Sequence, residues 1–118
     1  MQFEVTLGWP PRELSPNAKL HWAVKRRHTQ RYREACYWQA LCDGIKPNHH
    51  YAPPISIHLR FIPPDGRHRD EDNMIASCKA ALDGLADALG VNDREFRLSH
   101  SVDRENIGGM VKATITCA

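Results

Sequence analysis

The chain has 118 residues, 42% of them hydrophobic and 25% charged, with a formal net charge of +2. That is the size of one globular domain with an ordinary composition and a modest core. No apolar run approaches membrane length, and Met1-Gln2-Phe3-Glu4-Val5 lacks the basic and apolar regions of a signal peptide, so the expected setting is the cytoplasm, away from membranes.

The net charge hides an asymmetry. Residues 1–64 hold nine Lys/Arg and four Asp/Glu, a net of +5, whereas residues 65–118 hold seven and ten, a net of −3. A basic first half with an acidic second half suits a protein that grips a polyanion and positions a cation.

Phe3, Val5 and Leu7 alternate and predict a short strand, ended by Gly8-Trp9-Pro10-Pro11. Residues 12–28 read as a long loop dense in positive charge, with Lys19, Lys25, Arg26 and Arg27 leading into Arg31 and Arg33. A helix is expected over Thr29–Leu41, capped by Thr29, with Tyr32, Cys36 (or Ala35), Gln39 and Ala40 on a mixed stripe and Tyr37, Trp38 and Leu41 beside it. His49-His50 reads as a solvated loop, because adjacent side chains point apart. Ile55, Ile57, Leu59 and Phe61 alternate without a break and predict the clearest strand. Pro63-Pro64-Asp65-Gly66 then turns the chain toward Arg67-His68-Arg69.

The most informative stretch runs from Arg69 to Asp93. Met74–Leu89 is helix-like: Ile75, Cys78, Leu82, Leu85 and Leu89 fall within an arc of roughly 80° at 3.6 residues per turn. Asp72, Lys79 and Asp83 line the opposite side. Asp72 or Asn73 is the expected N-cap and Gly90 the C′ residue. Beyond it Phe96, Leu98, His100 and Val102 alternate, with His100 a hydrogen-bonded histidine at the core edge, and Val111, Ala113 and Ile115 form the last strand. These two strands are expected to pair as a hairpin. The order β-α-β-α-β-β predicts a single α+β domain with a mixed four-stranded sheet and two main helices packed on it. Cys36, Cys42, Cys78 and Cys117 form no C-x-x-C pair and read as buried structural thiols.

Asp70 and Asp72 precede the helix and Asp93 follows it. A straight helix of this length spans about 25 Å, so Asp93 joins the other two only if the chain folds back after Gly90 or a partner subunit supplies it. Three converging carboxylates require a balancing cation, and an all-oxygen set suits Mg²⁺ or Mn²⁺. Lys79 is placed to lean toward the helix N-terminus and Asp72. Each feature also has a plain structural explanation: a cap for the Asp-x-Asp, an i,i+4 pair with Asp83 for Lys79, a solvated face for the basic run.

Arg69-Asp70-Glu71-Asp72-Asn73, then Lys79-Ala80-Ala81-Leu82-Asp83-Gly84-Leu85, then Asn92-Asp93, resembles the RusA-type Holliday junction resolvases of phage and prophage origin. Leu7-Gly8-Trp9-Pro10-Pro11 and Phe61-Ile62-Pro63-Pro64 are similar to that family too, so the likeness covers about residues 3 to 116. The resemblance implies a RusA-like fold and a homodimeric, Mg²⁺-dependent endonuclease that cuts two opposing strands of a four-way DNA junction, in DNA recombination and repair. It also implies catalytic and metal-ligating roles for Asp70, Asp72 and Asp93, with Lys79 as the essential lysine. Two departures stand out: the family's lysine follows the Asn by three residues, where this chain has Ala76, and Asn92 stands where an Asp is common. Lys25, Arg26, Arg27, Arg31, Arg67 and Arg69 are the candidate phosphate contacts. The alternatives are a non-catalytic DNA-binding accessory protein and a nuclease acting on other branched DNA.

Overall fold

The computed structural model describes residues 1–118 as four strands and three helices. In chain order these are β1 (Gln2–Gly8), α1 (Trp22–Cys42), β2 (Ile55–Ile62), α2 (Glu71–Ser77), α3 (Lys79–Leu89), β3 (Phe96–Val102) and β4 (Met110–Cys117), with short 3₁₀ turns at Arg12–Leu14 and Asp93–Glu95. The α+β class and the mixed four-stranded sheet agree with the sequence reading.

The sheet order is β1-β4-β2-β3. β4 runs antiparallel to both β1 and β2, while β3 runs parallel to β2. The expected β3–β4 hairpin is therefore absent. After Val102 the chain crosses the end of β2: the Asp103 N–H donates to the Phe61 carbonyl at 2.8 Å and the Gly108 N–H to the Pro63 carbonyl at 2.9 Å. It enters β4 on the far side of β2. Asp103 holds this crossing, with Oδ1 accepting from the Glu105 and Asn106 N–H groups and Oδ2 from Arg60 at 2.5 Å. These bonds hold the Asp103 carboxyl well below the usual carboxylate range.

Alternation decides which face is buried. Val5, Leu7, Ile55, Ile57, Leu59, Phe61, Val111, Ala113 and Ile115 point to one side and form the core with the helices. The other face is polar and open, as antiparallel sheets permit. There His58 bridges Ser99 and Ser101 at 2.8 and 2.9 Å, and Lys112 lies 3.7 Å from Glu4.

Two helix boundaries depart from expectation. α1 begins at Trp22, so the basic run from Lys25 to Arg27 is helical, not a loop. His21 caps it, its ring accepting from the Ala23 N–H, and Thr29 lies inside the helix with its hydroxyl bonded to the Lys25 carbonyl. Lys and Arg are good helix formers that leave no apolar period, so a periodicity search passes over them. The second departure is a break at Cys78 (φ −91°, ψ 4°), which splits the expected single helix into α2 and α3. Its cap is Asp70, which accepts from the Asp72 and Asn73 N–H groups, rather than Asp72 or Asn73. The cysteines are all free; Cys36, Cys78 and Cys117 are buried as expected, whereas Cys42 is exposed. Burial pushes the Cys36 and Cys78 thiols up to about 12, so both stay protonated and unreactive.

The stripe Tyr32, Cys36 and Ala40 packs α1 on the core, and the Tyr32 hydroxyl donates to the Gly8 carbonyl at 2.6 Å, tying α1 to the end of β1. Arg33 forks onto both oxygens of Asp87 at 2.7 and 2.8 Å, linking α1 to α3. Between these contacts Gly84 lets the helices approach: a Cβ there would stand 2.4 Å from the Arg33 carbonyl oxygen and 3.1 Å from the Cys36 Cβ. Gly84→Ala is therefore expected to lower stability by about 2–3 kcal/mol through overpacking, despite alanine's better helix propensity. Urea unfolding checks this; an unchanged or higher midpoint would show that the helices separate freely.

Candidate functional site

The Arg69–Asp93 stretch builds the site from α2, the break and α3. Asp70 stands at the head of α2 with Oδ1 committed to the first turn, 2.9 Å from the Asp72 nitrogen. Asp72 is exposed and makes no side-chain hydrogen bond within the chain. Glu71, between them, reaches β3: its carboxylate lies 3.1 Å from His100 Nε2 and 3.4 Å from Arg104. His100 also meets the Phe61 ring edge at a centroid distance of 6.4 Å, which makes it the hydrogen-bonded core-edge histidine the sequence suggested.

Asp93 does fold back. Gly90 takes the left-handed conformation (φ 70°) and bonds the Ala86 carbonyl, so the chain reverses along α3. Asn92 then caps the next turn, its side chain accepting from the Arg94 N–H at 3.0 Å. The return brings Asp93 Oδ2 into a short ion pair with Lys79 Nζ. Lys79 also donates to Asp83 Oδ1 at 2.9 Å. Its ammonium is thus engaged one turn further along α3, at Asp83, and makes no bond to Asp72. The hydrogen bonds that Lys79 donates to Asp93 and Asp83 raise the Lys79 pKa, and the Lys79 ammonium holds the Asp93 carboxyl below the ordinary carboxylate range.

The acidic residues therefore fall into two places: Asp70 with Asp72 at the head of α2, and Asp83 with Asp93 around Lys79. No group of three or more His, Cys, Asp or Glu side chains is close enough together to hold a metal ion. The donor chemistry of Asp70, Asp72 and Asp93 fits a hard divalent cation. Their placement within one chain does not gather all three, because Asp93 is held by the ammonium.

Among the expected phosphate contacts, Arg26, Arg27 and Arg31 are exposed on α1 and Lys25 is half-buried; none of the four joins an ion pair. Arg67 is 80% exposed beside Asp65. Arg69 differs: its side chain is 17% exposed, paired with Asp65 at 2.9 Å, bonded to the Asp65 and Arg67 carbonyls, and set over the Trp9 ring with Cζ 5.6 Å from the centroid. It braces the 65–69 loop, and in return holds the Asp65 carboxyl far below its usual range.

No helix is long and apolar enough to cross a membrane. No family model matches the sequence. An uncharacterized protein of Xylella fastidiosa is 36% identical over 121 aligned residues, a match that spans 95% of this chain and 74% of the relative.

Replacing the ammonium tests the electrostatics. In Lys79→Met, Asp93 loses its main stabilising partner and faces Asp83 unopposed, so its carboxyl pKa is expected to rise toward or above the ordinary value near ~3.9. In the wild type the depressed carboxyl contributes stability at pH above that ordinary value, which is lost as pH falls through the folded one; Lys79, raised, contributes below its ordinary value near ~10.4 and loses this at higher pH. Carboxyl ¹³C titration checks the shift; an unmoved Asp93 would mean that the pair does not form.

Proposed function

The chain belongs to one family with the uncharacterized Xylella fastidiosa protein, and for it we propose a metal-dependent, structure-specific DNA endonuclease of RusA-like type, acting as a homodimer on four-way junctions in DNA recombination and repair. The observation that carries this reading is the return of the chain after Gly90, which brings Asp93 back along α3 to Lys79, on the same helical unit that Asp70 and Asp72 open. A helix followed onward without that turn would leave Asp93 remote.

Each residue then has a physical role. Arg26, Arg27 and Arg31, unpaired on α1, hold backbone phosphates without reading sequence. Asp72 and the second oxygen of Asp70 offer open carboxylate acceptors at the head of α2. Lys79 keeps Asp93 ionised and close. Mg²⁺, or Mn²⁺, held by Asp70 and Asp72 with Asp93 would supply the Lewis acid that phosphodiester hydrolysis needs. Two active sites in a symmetric dimer match the near two-fold symmetry of a four-way junction and its two cuts.

A second reading, a DNA-binding accessory protein without catalysis, is favoured by one observation: the Lys79 ammonium occupies Asp93, and no three-carboxylate group stands assembled. Cleavage separates the two. With a labelled four-way junction and Mg²⁺, the wild type is expected to leave paired symmetric nicks, whereas Asp72→Asn binds without cutting. Binding with no cleavage by either protein supports the accessory reading, and cutting of flaps or forks in preference to the junction reassigns the substrate. In a salt titration, replacing Arg26, Arg27 and Arg31 by alanine is expected to flatten the log–log slope by about 0.9 for each phosphate that is no longer neutralised. An unchanged slope would remove α1 from the interface.

A further inference from the structure

A cleft between the Trp9-Pro10-Pro11 turn and α2 shares Asp70 with the reading above, which gives its Trp9 wall and the Asn73 side chain no role. Its volume is about 410 Å³, inside the roughly 300–1,000 Å³ span of small-ligand sites. One wall is the Trp9 ring, with the Arg69 guanidinium 5.6 Å from its centroid; Pro11 and Pro64 extend the apolar surface. Because Asp65 neutralises Arg69 and the side chain is packed in place, Arg69 offers a fixed flat plane rather than free charge. Positive charge is left over on two other lining residues, Arg12 and Arg67, which are 96% and 80% exposed: Arg12 lies 3.7 Å from Glu13, and Arg67 shares the single Asp65 carboxylate with Arg69, so the Asp65–Arg67–Arg69 group keeps a net charge of +1. Asn73 faces the same cleft from α2, and its side-chain amide makes no hydrogen bond within the chain, although its backbone N–H and carbonyl are both engaged.

A rigid flat wall, an uncommitted amide and two exposed guanidiniums describe a ligand that is planar, carries a hydrogen-bonding edge and bears phosphates. We infer that the cleft binds one unstacked nucleotide of DNA, its base laid along the Trp9–Arg69 wall, its edge on the Asn73 amide and its flanking phosphates on Arg12 and Arg67. Bases freed from a duplex are held in this way by aromatic and guanidinium planes, and an amide pairs two atoms of a base edge at once. Asp70 also lines the cleft and disfavours a bare anion there. The inference rests on the DNA reading, and adds that the protein engages an unpaired base beside the acidic residues.

The chain has three tryptophans, and Trp22 and Trp38 are exposed at 70% and 56%. The W22F/W38F chain therefore reports on Trp9 alone. Its emission is expected to be quenched saturably by a deoxyadenylate dinucleotide and not by inorganic phosphate at equal ionic strength, and Asn73→Ala is expected to weaken dinucleotide binding about tenfold. In the wild type, should a variant fold poorly, the Asn73 side-chain amide and Trp9 indole resonances are expected to shift with the dinucleotide. A response to phosphate equal to that of the dinucleotide, indifference to Asn73→Ala, or unmoved Trp9 and Asn73 resonances would each overturn the inference. Quenching by the dinucleotide in a protein that never cuts junctions leaves the cleft standing and the nuclease reading fallen; junction cutting with Trp9 silent does the reverse.

Discussion

The ammonium of Lys79 between Asp83 and Asp93 is the contact that the rest of the site depends on. Asp83 is a helical neighbour and would meet the lysine in any helix of this sequence. Asp93 is not: it arrives because Gly90 turns the chain left-handed and Asn92 caps the next turn in the opposite direction. One exposed cation thus ties the returning chain to the first turn of α3. The same cation offsets two carboxylates that would otherwise repel each other. Any divalent ion shared among Asp70, Asp72 and Asp93 has to take Asp93 from this ammonium, so Lys79 is at once a support for Asp93 and a competitor for it.

That arrangement is carried by the packing of α3 on α1. Gly84 and the Arg33–Asp87 fork hold the two helices together, and Tyr32 ties α1 to β1. The break at Cys78 lets α2 take a course of its own beside α3, with the buried Cys78 side chain plugging the joint. Glu71 then links the head of α2 to β3 through His100 and Arg104. The acidic residues are in this way attached to the sheet at both ends of one helical unit, while the basic residues of α1 stand exposed on a separate helix.

Much of this was legible from residue order. The strands at Phe3–Leu7 and Ile55–Phe61 follow from period alone, because each buries one face; the mixed stripe on α1 was legible only in part, since Tyr32, Cys36 and Ala40 are buried and Ala35 and Gln39 are not. The start of α1 was not legible, since Lys25-Arg26-Arg27 carries helix propensity without an apolar period. The break at Cys78 was hidden because Cys78 lies on the same stripe as Leu82 and Leu85 and a period does not register a local change of direction. The parallel pairing of β3 was missed for another reason: nearness in sequence favours a hairpin, and the contest is decided by Asp103 and Gly108, which bind the loop to the end of β2. At the site, Lys79 paired with Asp83 was readable as a plain structural role and occurs, whereas the cap expected at Asp72 or Asn73 falls on Asp70. The fold-back of Asp93 was recognisable only as a condition, because backbone reversal at a glycine has no periodic signature. That Trp9 and Asn73 line one cleft gave no signal, since a cleft between distant segments has no sequence spacing of its own.

Function in this account comes down to whether one divalent ion draws carboxylates from both ends of the helical unit to itself. Mn²⁺ relaxation of carboxyl signals in a ¹³C-aspartate-labelled chain measures this directly, because paramagnetic broadening falls steeply with distance from the ion. At substoichiometric Mn²⁺, Asp70, Asp72 and Asp93 are expected to broaden together, ahead of Asp65, Asp87 and Asp103. Broadening of Asp70 and Asp72 with Asp93 left sharp, or uniform broadening of every aspartate, would contradict this.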